Sequence, residues 1–351
     1  MIKKTTLVWL SAIPLGLLLF FARNNPQWVE TYYSRLFYPL SHDLHHFFFG
    51  ILPFSVGDIG YIVIILTCIG VLRKNFYHWK VKPFKLLYQA GSIIILGLWI
   101  FHLSWGLNYH RLPLHQQMLL PFNYNKGDLE NTFEYLIQTS NTLHLKLVDH
   151  DTLAVVLPYS KTHIQKHTPL YHPGYHETVL NRPEAKKSLL SLPLSYMGFA
   201  GYLNPFTLES QVNAMIPPMS WVTTTLHERA HQLGYASEKE ANFIAYYSTI
   251  INPDTYIQYT GYTFGLRYLY TELYKIDPEG AKEKIKTLHS GIFKNYKQIS
   301  DFWKQYQNPL EVVFDKTYDG YLKANGQASG IKSYNEMVGL IINYHKNQKQ
   351  F

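Results

Sequence analysis

Three apolar runs near the start of the chain decide most of what it can become. Residues 5–22, TTLVWLSAIPLGLLLFFA, carry no charge. At roughly 1.5 Å per helical residue they are long enough to cross a hydrocarbon core of about 30 Å. A second run, 56–72, ends in DIGYIVIILTCIGVL, and a third, AGSIIILGLWIFHLSWGL, occupies 90–107; neither contains Lys or Arg. The first run follows Lys3 and Lys4, but no clean small-x-small cleavage site comes after it, so it reads as an anchored helix and not as a signal peptide. Three membrane helices are therefore expected.

Orientation follows from the basic residues. Arg73, Lys74, Lys80, Lys82 and Lys85 lie between the second and third runs, whereas the first connecting segment has only Arg23 and Arg35 beside Glu30, Asp43 and Asp58. Positive charge stays on the cytoplasmic side. The sequence thus predicts a multi-pass protein of the cytoplasmic (inner) membrane, partnered by the lipid bilayer. Residues 1–110 form its membrane domain, and 111–351 a domain outside the cytoplasm. The net charge of +8 is partly explained by these boundary residues, and no nucleic-acid reading motif accompanies the rest, so nucleic acid is not an expected partner. The only cysteine, Cys68, lies within the second run; the exported part must be held by its core without disulfides.

The connecting segment 26–58 is dense in Trp, Tyr, Phe and His and too polar to span. It reads as helices lying in the outer membrane face, where rings with one wet edge are favoured. His45 and His46 are adjacent and so fall on different helix faces, which favours packing over metal binding. Beyond the third run, DLENTFEYLIQTSNTLHLKL has helical period. Residues 151–210 are rich in Pro, Gly, Tyr and Ser, and the stretch 196–216 that begins within them alternates enough for one or two short strands. From Ser220 onward the chain is mostly helical between Gly and Pro breaks. The expected fold is mainly α: three transmembrane helices, then a mostly helical α+β domain with a small β-sheet.

One stretch carries chemistry: TTTLHERAHQLGYASEKEANFIAY, 223–246. His227 and His231 are one helical turn apart, so both imidazoles can reach one ion. Glu228 is rotated by about 100°, beside the ion and placed to take a proton from water. Ser220 is the expected N-cap and Gly234 the C-terminal cap. In the next helix Ser237 and Glu240 have capping-box spacing, which gives Glu240 a structural task. Glu238 shares a face with Ala241, Asn242 and Ala245, small residues that permit close approach. It is the favoured third zinc ligand, with Glu240 the alternative and Asn242 expected to orient a histidine. Arg229 borders an apolar stripe of Val222, Leu226 and Leu233, and its charge needs a partner or a wet edge.

These residues resemble the HExxH zinc metallopeptidases of the glutamate-ligand (gluzincin) type within the zincins. Together with LPFSVGD, WGLNYHR and YLKANGQASGIKSYNEMVGLI, they also resemble an uncharacterised bacterial membrane family, a domain of unknown function numbered 3810. The resemblance implies a zincin-like catalytic domain, one Zn²⁺ ion and a peptide or protein substrate. The spacing from His231 to Glu238 is short for better-known gluzincins, and zinc peptidases usually carry an apolar residue where Arg229 stands. The segment 201–212 is either a substrate-holding edge strand or a structural hairpin, and Tyr334 or Lys323 is a candidate oxyanion partner. The leading expectation is a membrane-anchored zinc metallopeptidase. Its rivals are a zinc-binding sensor or scaffold without activity, and a zinc hydrolase acting on cell-envelope material.

Overall fold

A computed structural model describes residues 4–81, 83–173, 184–309, 311–325, 327 and 337–348. It is mostly helical, with a small three-stranded sheet. The chain divides into two compact units: Met1–Leu112 with Leu203–Glu209, and Pro113–Tyr202 with Ser210–Phe351.

In the first unit three helices are long and apolar enough to cross a membrane: Thr5–Asn24, Val56–Lys74 and Pro83–Ser104. The third starts and ends earlier than the apolar run suggested. Pro83 is suited to a first helical turn, where its missing amide costs nothing. At the far end, Gly106 lies so close to the rings of Phe101 and His102 that a Cβ would sit 2.5 and 2.8 Å from them, and the chain leaves in a tight turn over Gly106–His110. The basic segment expected as a loop is largely helical, since the second helix continues to Val81.

Residues 26–50 form one continuous helical run with wide turns over Val29–Phe37 and His46–Gly50. The first wide turn precedes Pro39 and makes room for its ring. One face of this run, Val29, Glu30, Tyr33, Ser34, Tyr38 and His42, is buried. The opposite face exposes Tyr32, Leu36, Phe37, Leu40, Leu44, Phe47 and Phe48. Glu30 is the polar centre of the buried side. Arg111 grips both its oxygens at 2.9 and 3.0 Å, and Arg35 adds a bond of 2.7 Å. Residues 203–209 complete this unit: Glu209 accepts from the backbone amides of Val56 and Gly57, and Ser104 donates to Pro205 O. A carboxylate at a helix N-terminus satisfies amides that have no partner within the helix.

The second unit is built by helices packed in sequence. Lys126–Leu147 opens with a complete capping box between Asn125 and Asp128 and buries Leu129, Phe133, Leu136 and Ile137 against the helix Thr255–Ile276. That helix packs on Glu238–Ile250, which in turn packs on Pro218–Gln232. The stretch 278–306, which has a helical pattern, is two helices, Pro278–Ile285 and Ser290–Lys304. They separate where Gly291 meets the 151–153 backbone: its amide donates to Asp151 O, and a Cβ there would lie 2.0 Å from Leu153 O.

The sheet has the order β1 (Lys186–Lys187), β3 (Ser210–Val212), β2 (Gly201–Leu203). β1 runs parallel to β3 with Lys186 opposite Gln211. Backbone bonds from Asn204 N to Glu209 O and from Asn213 N to Ala200 O close the hairpin of β2 and β3. β3 is buried and packs on Pro218–Gln232, and Ser210 Oγ donates to Glu228 O at 2.8 Å.

Candidate metal centre

The histidine helix begins at Pro218 with Pro217 as its cap, earlier than the expected Ser220. Proline has its φ preset for a first turn and lacks an amide that would go unpaired, so it outcompetes the serine cap. The helix stops at Gln232, and Gly234 takes φ +79°, the left-handed conformation that lets a chain turn back. The glutamate helix Glu238–Ile250 follows at once, and its Ala241 and Ala245 are fully buried.

This turn brings three donor atoms together. His227 Nε2 and His231 Nε2 are 3.0 Å apart, and Glu238 Oε2 lies 3.1 and 3.7 Å from them. A tetrahedral zinc ion with bonds near 2.0–2.1 Å separates its ligand atoms by roughly 3.3 Å. The three separations straddle that value. Side-chain exposure is 11% for His227, 7% for His231 and 4% for Glu238, so the cluster is shielded and opens on the His227 side.

The far side of each ring is fixed. His231 Nδ1 lies 2.6 Å from the Tyr235 carbonyl, which can only accept, and His227 Nδ1 lies 2.9 Å from Asn242 Oδ1. Both Nδ1 atoms therefore carry the proton, and both Nε2 lone pairs face the cluster. Two lone pairs and a carboxylate oxygen held this close repel unless a cation sits among them. Without a metal that cation is a proton. Burial alone lowers the His231 pKa, but the Glu238 carboxylate beside it outweighs burial and lifts it to about 9. Burial raises Glu238, yet the two imidazoles hold it well below the usual carboxylate range. Among the described residues, Glu238 Oε2 faces only the two imidazoles. The residues present thus fit a divalent metal with nitrogen and oxygen ligands.

Glu228 is buried beside the cluster, and burial raises it to about 7 against the opposing pull of His227 and His231. Its Oε2 has no hydrogen-bond partner, and its other oxygen faces β2. A Cβ on Gly201 would sit 2.7 Å from Glu228 Oε1 and 2.7 Å from Gln211 O, so only glycine lets the strand pass this carboxylate. A carboxyl group poised near neutrality can both take and return a proton.

Glu240 is not part of the cluster. Its Oε1 accepts from the Leu114 amide at 2.7 Å, and Ser237 makes no side-chain cap bond. The capping box expected there is absent, because a buried amide from a distant segment claims the glutamate. Arg229 has its partner: Nη1 donates to Thr168 O at 2.8 Å. Burial lowers its pKa to about 10 while the Glu184 charge resists, so it stays protonated at neutral pH. Lys323 pairs with Asp319 at 2.6 Å on the surface. Tyr334 lies outside the described residues.

Two contributors escaped the sequence reading. Tyr318 donates its hydroxyl to Glu238 Oε1 at 2.5 Å. Tyr235 supplies the carbonyl that orients His231, its own hydroxyl bonded to His172 and, at 3.0 Å, to Gln117 Oε1. Tyr318 acts across eighty residues, a separation that no local pattern marks, whereas the Tyr235 carbonyl is four residues from His231.

The sequence profile of a family described as "Protein of unknown function (DUF3810)" matches residues 33–342. No curated protein and no solved structure matches the chain.

Proposed function

We propose, for a chain that belongs to the DUF3810 family of unknown function, that it is a membrane-anchored zinc-dependent peptidase whose catalytic unit lies outside the cytoplasm. The observation that carries this reading is the convergence of His227 Nε2, His231 Nε2 and Glu238 Oε2 at the separations one tetrahedral ion requires, with Glu228 buried against them. Zinc bound there would supply a Lewis acid that polarises a carbonyl and eases deprotonation of water. His227 and His231 would hold the ion through Nε2, with Asn242 and the Tyr235 carbonyl fixing their rings. Glu228 takes the proton of the attacking water and hands it to the leaving amine. Gly201 leaves room for that carboxylate beside β2. A three-ligand set leaves a position for substrate, as catalytic zinc sites do and structural ones do not.

The three long apolar helices and the basic residues gathered between the second and third support a multi-pass protein of the cytoplasmic membrane with its N-terminus inside. The aromatic and aliphatic outer face of residues 26–50 suits a membrane interface.

The test is zinc analysis of the detergent-purified full chain, with hydrolysis of a broad peptide library by wild type and Glu228→Gln. One zinc per chain is expected in both, with cleavage lost by at least about 10²-fold in the variant. A wild type that holds one zinc yet cleaves nothing, with a cellular phenotype indifferent to Glu228→Gln, would leave a zinc-binding sensor in place of an enzyme.

A further inference from the structure

Glu238 has two oxygens and they are treated differently. Oε2 faces the histidine Nε2 atoms at 3.1 and 3.7 Å, whereas Oε1 accepts the Tyr318 hydroxyl at 2.5 Å. Tyr318 comes from the helix Glu311–Ala324, eighty residues further along the chain. Its ring is wedged edge-on against Phe199 at 5.3 Å and stacked on Tyr321 at 6.0 Å. Phe199 stands two residues before Gly201, the glycine that abuts Glu228. The phenol is therefore held by the same segment that passes closely by the carboxylate proposed as the base.

The chemistry of this contact is specific. A lysine or arginine at this point would cancel the negative charge that a metal ligand needs, while a neutral phenol leaves it in place. The hydroxyl fixes the plane of the carboxyl group and occupies the oxygen that would otherwise swing in as a second ligand. We propose that Tyr318 is a positioning residue that holds Glu238 as a one-oxygen ligand, and so sets both the affinity of the site for zinc and its low coordination number. This rests on the zinc reading above.

The experiment uses the full chain in detergent, stripped of metal and reloaded with Zn²⁺ for affinity and with Co²⁺ for its visible spectrum. Wild type is expected to show the intense bands of four-coordinate cobalt. Tyr318→Phe is expected to bind zinc about 10–100-fold more weakly, with weaker, shifted cobalt bands as Glu238 turns to two-oxygen ligation. Phe199→Leu, which loosens the ring contact but keeps the hydroxyl, separates hydroxyl from packing. It is expected to keep the wild-type spectrum, with melting curves confirming that both variants are folded. If Tyr318→Phe matches wild type in affinity and spectrum, or if Phe199→Leu shifts the spectrum equally, the positioning role is overturned and the zinc site stands. If wild-type protein takes up neither metal, the zinc reading itself fails.

Discussion

The approach of Gly201 to Glu228 offers the sharpest test of how the site is built. In Gly201→Ala the new methyl would meet Glu228 Oε1 and Gln211 O at 2.7 Å and Glu228 Cγ at 2.8 Å, all inside the 3.0 Å that real Cβ atoms keep. Gln211 O belongs to the neighbouring buried strand and cannot rotate away, so β2 must lift from β3 or the glutamate must move. Overpacking of this kind costs about 1–3 kcal/mol, which for a unit of this size lowers the melting temperature by roughly 2–4 °C per kcal/mol. The ligand nitrogens and their Nδ1 acceptors are untouched, so zinc affinity should stay within a few-fold of wild type. Under the proposed peptidase reading, hydrolysis would need the Glu228 carboxylate in place and should fall by about 10²-fold or more. The decisive comparison repeats the substitution in a Glu228→Ala background, where two of the three contacts are gone. Gly201→Ala should then cost less by about 0.5–3 kcal/mol, measured by thermal or denaturant unfolding of the detergent-solubilised chain. An equal cost in both backgrounds would refute the argument that this glycine exists to accommodate Glu228.

Three further outcomes follow from the contacts. Asn242→Ala removes the acceptor of His227 Nδ1 and should weaken zinc binding about 10–100-fold in competition with a chromogenic chelator, with the fold intact by circular dichroism. Arg229→Ala removes the donor to Thr168 O and should cost about 1.5–3 kcal/mol of stability without moving zinc affinity; a matching loss of affinity would place Arg229 in the metal site after all. Glu30 sits below its ordinary value of 4.5: burial pushes it up, and Arg111 and Arg35 more than reverse that. Its ion-pair stabilisation is therefore complete above the unfolded value and lost as pH falls through the lower folded one. Glu30→Gln removes the negative charge that Arg111 and Arg35 face; it should cost up to about 3–5 kcal/mol at neutral pH and should flatten the acid limb of a melting-temperature profile.

What could be read from the sequence was local. The membrane helices announced themselves through length and apolarity, and the histidine helix through a four-residue spacing closed by Gly234. Their ends were harder, because Pro83, Gly106 and Pro217 decide them through single-residue sterics and not through periodicity. Long-range partners left no trace. Glu240 was assigned to a capping box with Ser237, yet it serves the Leu114 amide, so the elimination that singled out Glu238 rested on a premise the structure does not keep. Glu238 reaches the histidines on the other ground read from the sequence: Ala241 and Ala245 are fully buried and let its helix lie against theirs. Tyr318 was missed although the sequence drew attention to the turn just after it, because nothing in residues 321–337 shows which earlier helix turn faces a ligand.

Arg229 illustrates the same division between helix geometry and distant contacts. From sequence it was a charge inside a zinc-binding motif, bordering apolar residues and in need of a partner. On a helix it is turned about 100° from Glu228 and about 200° from His227, so its side chain leaves on the side away from the ligands. There it meets the carbonyl of Thr168, in a segment whose sequence carries no signal of the encounter. A buried charged side chain that donates to a backbone oxygen satisfies that oxygen and one of its own N–H donors. The cost of the unusual residue thus falls on the packing of the 168–172 segment. That segment includes His172, whose bond to Tyr235 helps to hold the carbonyl behind His231.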